Sequence, residues 1–583
     1  MKKKWLIHAK KADFYGLAKK LDVDPVIVRM IRNRDIEPED MASYLHPSLS
    51  ELYDPHLLVP EKTAEIMLEK IREQARIRII GDYDIDGVNS TYILYQGLKR
   101  LGADVDYAIP DRITDGYGLN RNLIDLALRD KRQVILTCDN GIAAYEEIAY
   151  AKEQGLTVLV TDHHNIPYVE EEGKRKEILP PADAIVDPKL SDCSYPFEEI
   201  CGAVVAMKFL QVLYEKAGRD LEEPLLYLEF AAFATVGDVM PLRDENRIIV
   251  KYGMERMSHT QNPGLQALLQ VNGIEEVKAY HLGFVLGPCI NATGRLDSAM
   301  HAVRLLNEKN AGAALEIAEE LKQINEERKS LTEKGVEEAI EQIEEADWKR
   351  EAVYVVYLPS CHESIAGIIA GRIRERYYRP VFVITGEGEI VKGSARSIEA
   401  YSMYDEMTKC RELFTKFGGH PLAAGFSMKR ENIDLLRKRL NENASLGPEE
   451  LTEKNYIDAA MPLSYINESL IQQLDLLEPF GKDNGKPVFA VKNIRFLSAI
   501  RIGKKKNMIR FLLLNEEGQR MTGMYFQDAD SFFAMIREEY GIEEEEALLK
   551  GNGSVNLSFA YYPSVNDYRG FRSLQVVISE FIL

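Results

Sequence analysis

Between residues 77 and 190, short apolar runs alternate with helix-like patterns, and acidic residues gather just after the apolar runs. "RIRII" at 76–80 reads as a strand and "STYILYQGLKRLG" as a helix ending at Gly102. "DVDYAIP" reads as a strand and "RNLIDLALRD" as a helix; "QVILTCDNG" and "AAYEEIAYAKEQG" repeat the pattern, and "TVLVTDHH" closes it with another strand. Strands alternating with helices of this length predict βαβ units and a parallel sheet. In such sheets the working residues sit just beyond the carboxyl ends of the strands.

Four segments place candidate ligands at those ends. "GDYDIDG" carries Asp82, Asp84 and Asp86, spaced two apart; "LTCDNGI" carries Asp139; "VTDHHN" carries Asp162, His163 and His164; "ATVGDVMPL" carries Asp238. Three alternating carboxylates repel one another unless something positive sits among them. Any one aspartate here would serve equally well as a helix cap or turn residue. Four such segments together form a mixed set of carboxylate oxygens and imidazole nitrogens that suits Mn²⁺ or Mg²⁺. Two such ions activate a water and stabilise the leaving oxygen of a phosphoester.

The rest of the chain divides by pattern. Residues 200–300 look mainly helical, and 302–345, rich in Ala, Glu, Lys and Leu, read as one or two long charged helices. From about 352 the strand–helix pattern resumes with "AVYVVYLP", "HESIAGIIAGRIRERY" and "PVFVIT", predicting a second α/β domain that ends near 441–450. Beyond it, β-like runs divided by turns predict a small barrel or sandwich. No run approaches the eighteen apolar residues of a membrane span, and "MKKKWLIHAKKADF" makes a poor signal peptide. The six cysteines form no C-x-x-C pair, as expected of reduced thiols in a cytoplasmic protein. A net charge of −20 argues against broad, non-specific nucleic-acid binding but leaves room for a local basic groove.

"GDYDIDG", "CDNG", "TDHH" and "GDVMPL", in this order, resemble the four motifs of the DHH phosphoesterase superfamily. "IPDRITDGYGLN" (109–120), "INATGRLDSA" (290–299), "CHESIAGIIAGRI" (361–373), "KGSARS" (392–397), "FGGHPLAAGFSM" (417–428) and "LEPFGKDNGKPVF" (477–489) resemble the bacterial RecJ branch. The resemblance covers nearly the whole chain from about residue 40. It implies an α/β fold in which an N-terminal segment (1–50) precedes a DHH domain with a parallel sheet (51–305). A long connecting helix (306–348), a second α/β DHH-associated domain (349–446) and a C-terminal OB-fold β-barrel (447–583) would follow. It also implies a 5′→3′ exonuclease that degrades single-stranded DNA to mononucleotides with two divalent ions, Mn²⁺ or Mg²⁺, in DNA repair and recombination. A monomer, a single-strand-binding protein and a RecQ-like helicase as partners are expectations of the same kind.

Carried over position by position, the resemblance makes Asp84, Asp86, Asp139, His163 and Asp238 metal ligands and Asp82 a ligand or close neighbour of one. His164 falls where a residue beside the scissile phosphate is expected, so His164 and Asp139 are the candidate catalytic groups. Ser394 and Arg396 match a phosphate-binding S-x-R element, and Arg112, Arg295 and His420 are further candidate phosphate contacts; the guanidinium fork suits phosphate oxygens. Two departures stand out: the family usually has a small residue where Ile85 stands, and Thr is common where Asn89 stands.

In the barrel, "RIGKKKNMIRF" (501–511) offers charge, and Tyr525, Phe526, Tyr561 and Tyr562 offer stacking faces, with Phe526 the one expected in the core. An alternative is a DHH phosphodiesterase acting on short oligonucleotides or cyclic dinucleotides; such relatives are usually shorter and lack a C-terminal barrel, so residues 450–583 discriminate. A non-catalytic scaffold would be marked by loss of ligands, and here they are retained.

Overall fold

The computed structural model describes residues 3–112, 115–116, 118–171, 174–345, 348–568 and 570–582. The chain divides into two compact units, one of residues 48–451 and one that joins 1–47 to 452–583.

The larger unit begins with the predicted parallel sheet. Its strands run Asp104–Ala108, Arg76–Ile80, Val134–Cys138, Thr157–Thr161 and Ala184–Val186 across the sheet, each parallel to its neighbour. In chain order this is 2-1-3-4-5, so the direction of winding reverses between the first and third strands. At such a reversal the crossover helices leave on opposite faces and open a crevice beyond the strand ends. The central strands are buried on both faces, as their continuous Val, Ile and Leu content requires. One face packs against helices Ile85–Arg100 and Gly202–Lys216, the latter buried along most of its length because it is apolar nearly all round.

A 35-residue helix, Ala311–Glu345, follows the helical region. Its first half packs against helices Pro263–Val271 and Gly287–Leu296, and its later part against Ala366–Tyr377 of the second α/β layer. Buried residues from Ala314 to Ile343, mostly three or four positions apart, mark the seam, while the charged faces stay in water. The second sheet has the order Phe414–His420, Ala423–Lys429, Ile390–Arg396, Val381–Thr385, Tyr354–Tyr357; only the last pair is parallel.

The smaller unit holds a six-stranded sheet that closes when Phe489–Ile502 pairs with both Met508–Leu514 and Asn556–Tyr568. The N-terminal segment is built into this unit. Strand Lys4–Ile7 runs parallel to Lys454–Ile457, and Ile27, Met30 and Leu45 share one core with Phe489, Phe511 and Ile578. Tyr525 and Tyr561 lie in that core. Phe526, expected inside, is 53% exposed: strand Arg520–Tyr525 ends one residue before it, and a neighbour of an inward-facing Tyr525 points outward. Tyr562 is half-buried with the Lys486 ammonium 3.9 Å above its ring centre. Among the described residues no helix is long and apolar enough to cross a membrane.

Glu229 is a buried carboxyl that bears on stability. It sits in helix Leu228–Gly237, and Thr260 Oγ1 donates to its Oε1 at 2.9 Å. Burial pushes its pKa up to about 7, against smaller opposing pulls from Thr260 and Arg256. An acid whose folded pKa is raised favours folding at low pH, and that contribution fades as pH climbs from the unfolded value near 4.5 towards 7. Glu229→Gln keeps an acceptor for Thr260 and removes the titration. Denaturant melts should show the variant about 1–3 kcal/mol more stable than the parent at pH 8 and nearly equal at pH 4.5; equal differences at both pH values would contradict this reading.

Candidate metal centre

The first motif occupies the turn between strand Arg76–Ile80 and helix Ile85–Arg100. Asp84 caps the helix: its Oδ1 accepts from the backbone N–H of Asp86 at 2.9 Å and of Gly87 at 3.1 Å. Asp86 therefore falls in the first helical turn, where its carboxylate accepts from the N–H groups of Gly202 at 2.6 Å and Ala203 at 2.8 Å. Those amides open helix Gly202–Lys216, so Asp86 lies at the positive end of a helix dipole. Gly202 is required there, because a Cβ would come within 2.8 Å of the Asp139 Cβ.

Asp139 follows the third strand in a left-handed conformation, φ 58°, with its N–H on the carbonyl of Thr161 at 3.1 Å. This bend turns its carboxylate into the crevice where the winding of the sheet reverses. His163 follows the fourth strand. Its Nε2 lies 3.1 Å from Asp139 Oδ1, 3.4 Å from Asp86 Oδ2 and 3.9 Å from Asp238 Oδ2. Among the described residues, ligand atoms within 4.8 Å of one another form three groups: Asp82, Asp84 and Asp139; Asp86, His163 and Asp238; and Asp139, His163 and His164. The structure thus brings together Asp82, Asp84, Asp86, Asp139, His163, His164 and Asp238.

The electrostatics fit a cation. Burial and then the neighbouring carboxylates raise the pKa of Asp82, Asp84 and Asp139. Burial lowers that of His163, which keeps its imidazole neutral and able to donate a lone pair. Asp82 Oδ1 and His163 Nδ1 are buried without a hydrogen-bond partner. Clustered carboxylates that raise one another's pKa, a neutral imidazole and orphaned polar atoms are what a site for hard divalent ions offers.

His164 differs from its neighbour. Its Nδ1 lies 2.8 Å from Asp162 Oδ1, and its side chain is 44% exposed. Burial pulls its pKa down, but Asp162, by hydrogen bond and by charge, together with Asp238 and Asp86, pushes it up to about 9. His164 thus stands at the edge of the acidic cluster, with Asp162 favouring its protonated form. Asp162, quoted in the third motif but given no role there, is held by the Ile142 N–H at 2.9 Å and fixes this ring. Its position directly before the two histidines was the available signal.

The candidate phosphate contacts other than His420 lie near one another. The Arg112 guanidinium stacks 4.8 Å from the ring centre of Tyr83, between Asp82 and Asp84 in sequence. Arg112, Ser364, Thr385, Lys392 and Ser394 line one cavity of about 220 Å³. Arg295 donates to the Ser364 carbonyl at 2.6 Å; burial and then the nearby Arg112 and Arg328 push its pKa down to about 10, so it remains a cation. Arg396, on the same strand as Ser394, lies against the start of helix Ala366–Tyr377. Among the described residues neither Arg295 nor Arg396 pairs with a carboxylate, an arrangement that favours an anion. His420 is exposed at the end of strand Phe414–His420 and joins neither the cavity lining nor the metal groups. Thr385, Lys392, Ser364 and Asn291 were not singled out in the sequence. Within the stretch 109–120, Ile113, Thr114 and Tyr117 lie outside the described residues.

Both departures in the first motif have packing roles. Ile85 is 1% exposed, and a Cβ on Gly237, the residue before Asp238, would come within 2.6 Å of its side chain. The isoleucine fills the space that the glycine leaves open. The Ile85 N–H donates to Asn291 Oδ1 at 2.8 Å, and Asn89 Nδ2 donates to the Ile85 carbonyl at 2.7 Å.

Because the clustered carboxylates repel in the absence of cations, Asp139→Asn should stabilise the metal-free protein by about 1–3 kcal/mol, several degrees in melting temperature. The same change should abolish most of the rise in melting temperature that Mn²⁺ gives the parent. A variant that melts lower without metal and gains as much from Mn²⁺ would contradict the electrostatic account.

Comparison with known proteins agrees with this geometry. The DHH family N-terminal domain matches residues 76–235, the DHHA1 domain 351–445 and the RecJ OB domain 457–580. Proteins named single-stranded-DNA-specific exonuclease RecJ are similar over most of the chain. The one from Bacillus subtilis (strain 168) is 36% identical over 86% of this chain, which spans 63% of that relative's length. The one from Escherichia coli (strain K12) is 33% identical over 89% of both, and that from Haemophilus influenzae 32% over 95% of both. The crystal structure of RecJ in complex with Mn²⁺ from Thermus thermophilus superposes over 100% of this chain and 79% of its own, with a TM-score of 0.81 and 28% identity. A second structure, of exonuclease RecJ bound to manganese, is 33% identical with a TM-score of 0.59, covering 69% of this chain and 98% of its own. The chain belongs to the RecJ family of DHH proteins.

Proposed function

We propose that this protein is a single-stranded-DNA-specific exonuclease that removes mononucleotides from the 5′ end by phosphodiester hydrolysis, in DNA repair and recombination. The observation that carries the reading is the cluster of Asp82, Asp84, Asp86, Asp139, His163 and Asp238, four of them buried and Asp84 and Asp238 half-buried, beside a cavity lined by Arg112 and Ser394. The former would hold two divalent ions, Mn²⁺ or Mg²⁺, and the latter an anion. When bound, the ions supply a water of lowered pKa and neutralise charge at the phosphoryl group.

The chain's own residues do the rest. Asp139, shared by two of the ligand groups, holds both halves of the site in register. His164, oriented by Asp162, would donate a hydrogen bond to a phosphate oxygen and favour the charge that builds there. Arg112, Arg295, Ser394 and Arg396 would fix the phosphate, for which the guanidinium fork is suited. His420 would contact the strand further out. In the other unit the barrel would guide the strand, with Phe526 as its exposed ring and the lysines at 504–506 as its charge. The functional division we propose follows the domains expected from the sequence: a DHH domain to 305, a connecting helix to 348, a DHH-associated domain to 446 and an OB-fold beyond. A cytoplasmic monomer that works with a single-strand-binding protein and a RecQ-like helicase completes the reading.

Incubation with Mn²⁺ and 5′-phosphorylated single strands should release mononucleotides, with duplex and dinucleotides poorer substrates. Activity confined to dinucleotides would reject the proposal. Asp139→Ala should abolish cleavage while single-strand binding survives. Arg396→Ala should raise KM ~10- to 100-fold, as loss of a charge-assisted phosphate contact requires; an unchanged KM would remove Arg396 from the clamp.

A further inference from the structure

Tyr280 and Phe284 are 64% and 71% exposed, yet their rings stack with centres 5.3 Å apart and planes 22° from parallel. The pair stands on a continuous helical run in which Leu282–Leu286 forms a π-turn between Ala279–His281 and Gly287–Leu296. Such turns are rare and recur at functional sites. The run passes along the metal centre. The Gly283 position packs on Val236, two residues before Asp238; Gly287 meets Ile85; Asn291 holds the Ile85 N–H; Arg295 ends the run. Beside Asp238, Val239 is 61% exposed with φ 56°, a costly conformation for a β-branched residue.

We propose that Tyr280 and Phe284 form a stacking platform for a base of the substrate strand, at the end of this helical run opposite Arg295. The inference deepens the nuclease reading and rests on it. From Phe284 to Arg295 the helical path is about 16 Å, so a strand whose terminal phosphate lies in the clamp and whose backbone crosses the Asp–His cluster would bring a later base towards the pair. Two rings and one valine fall far short of the roughly 800 Å² per side that a stable protein interface buries, but they match one nucleobase face. Aromatic stacking is also indifferent to base identity, as an enzyme that consumes any sequence requires.

The test compares the full chain with Tyr280→Ala/Phe284→Ala and with Phe284→Trp, using a 5′-phosphorylated thymidine hexamer, its fully abasic counterpart and a dinucleotide. Anisotropy in EDTA reads binding, and Mn²⁺ assays read cleavage. The double variant should bind the hexamer ~5- to 150-fold more weakly, the range expected for one lost stack. It should match the parent on the abasic strand and in kcat/KM on the dinucleotide, and Phe284→Trp should retain parental affinity. Equal hexamer binding by parent and double variant would overturn the platform, as would an equal loss on the abasic strand. A change in self-association with hexamer binding unaltered would overturn it in favour of a protein contact. A parent that binds hexamer better than the double variant but cleaves nothing would sink the nuclease reading alone.

Discussion

Repulsion among buried carboxylates organises the larger unit. Asp82, Asp84 and Asp139 bring oxygens within 4.8 Å of one another, and Asp86 and Asp238 converge on His163 beside them. At an effective dielectric near 20, two full charges at that distance repel by about 3–4 kcal/mol. The chain offsets part of this with backbone dipoles: the Asp86 and Gly87 amides on Asp84, and the Gly202 and Ala203 amides on Asp86. Those contacts orient the carboxylates but leave their pKa values raised at Asp82, Asp84 and Asp139. A divalent cation is the natural complement of such a site.

Each neighbouring feature follows from holding these groups together. The reversal of strand order puts the ends of Arg76–Ile80 and Val134–Cys138 at one crevice. The left-handed turn at Asp139 aims its carboxylate inward, and the close approach of Gly202 lets a helix N-terminus meet Asp86. The long helix Ala311–Glu345 packs on both α/β layers of this unit, so Ser394 and Arg396 of the second sheet come within reach of phosphate bound near Arg112 and Arg295. Among the described residues, Arg295 and Arg396 have no carboxylate partner and stand near a cluster rich in carboxylates, the polarity of a phosphodiester and its metal.

Much of this was legible in the sequence because it depends on local pattern. Alternating strands and helices gave the parallel sheet, and the position of each Asp and His just after an apolar run gave its place at a strand end. What escaped was set by non-local packing. Ile85 looks anomalous until Gly237 is seen opposite it. Alternation in "YF" at 525–526 says that the two rings face opposite ways but not which faces inward; Tyr525 does. The parallel pairing of Lys4–Ile7 with Lys454–Ile457 joins segments far apart in the sequence, and no local periodicity carries that information. His420 shares a glycine-rich strand with no sequence cue that it stays exposed, away from the phosphate cavity.

The central claim is that the clustered carboxylates and His163 bind two divalent ions. Anomalous diffraction from crystals grown with Mn²⁺ tests it most directly. The account predicts two manganese peaks, one against Asp82, Asp84 and Asp139 and one against Asp86, His163 and Asp238, with Asp139 touching both. No peak in the cluster, or peaks bound by other residues, would contradict it.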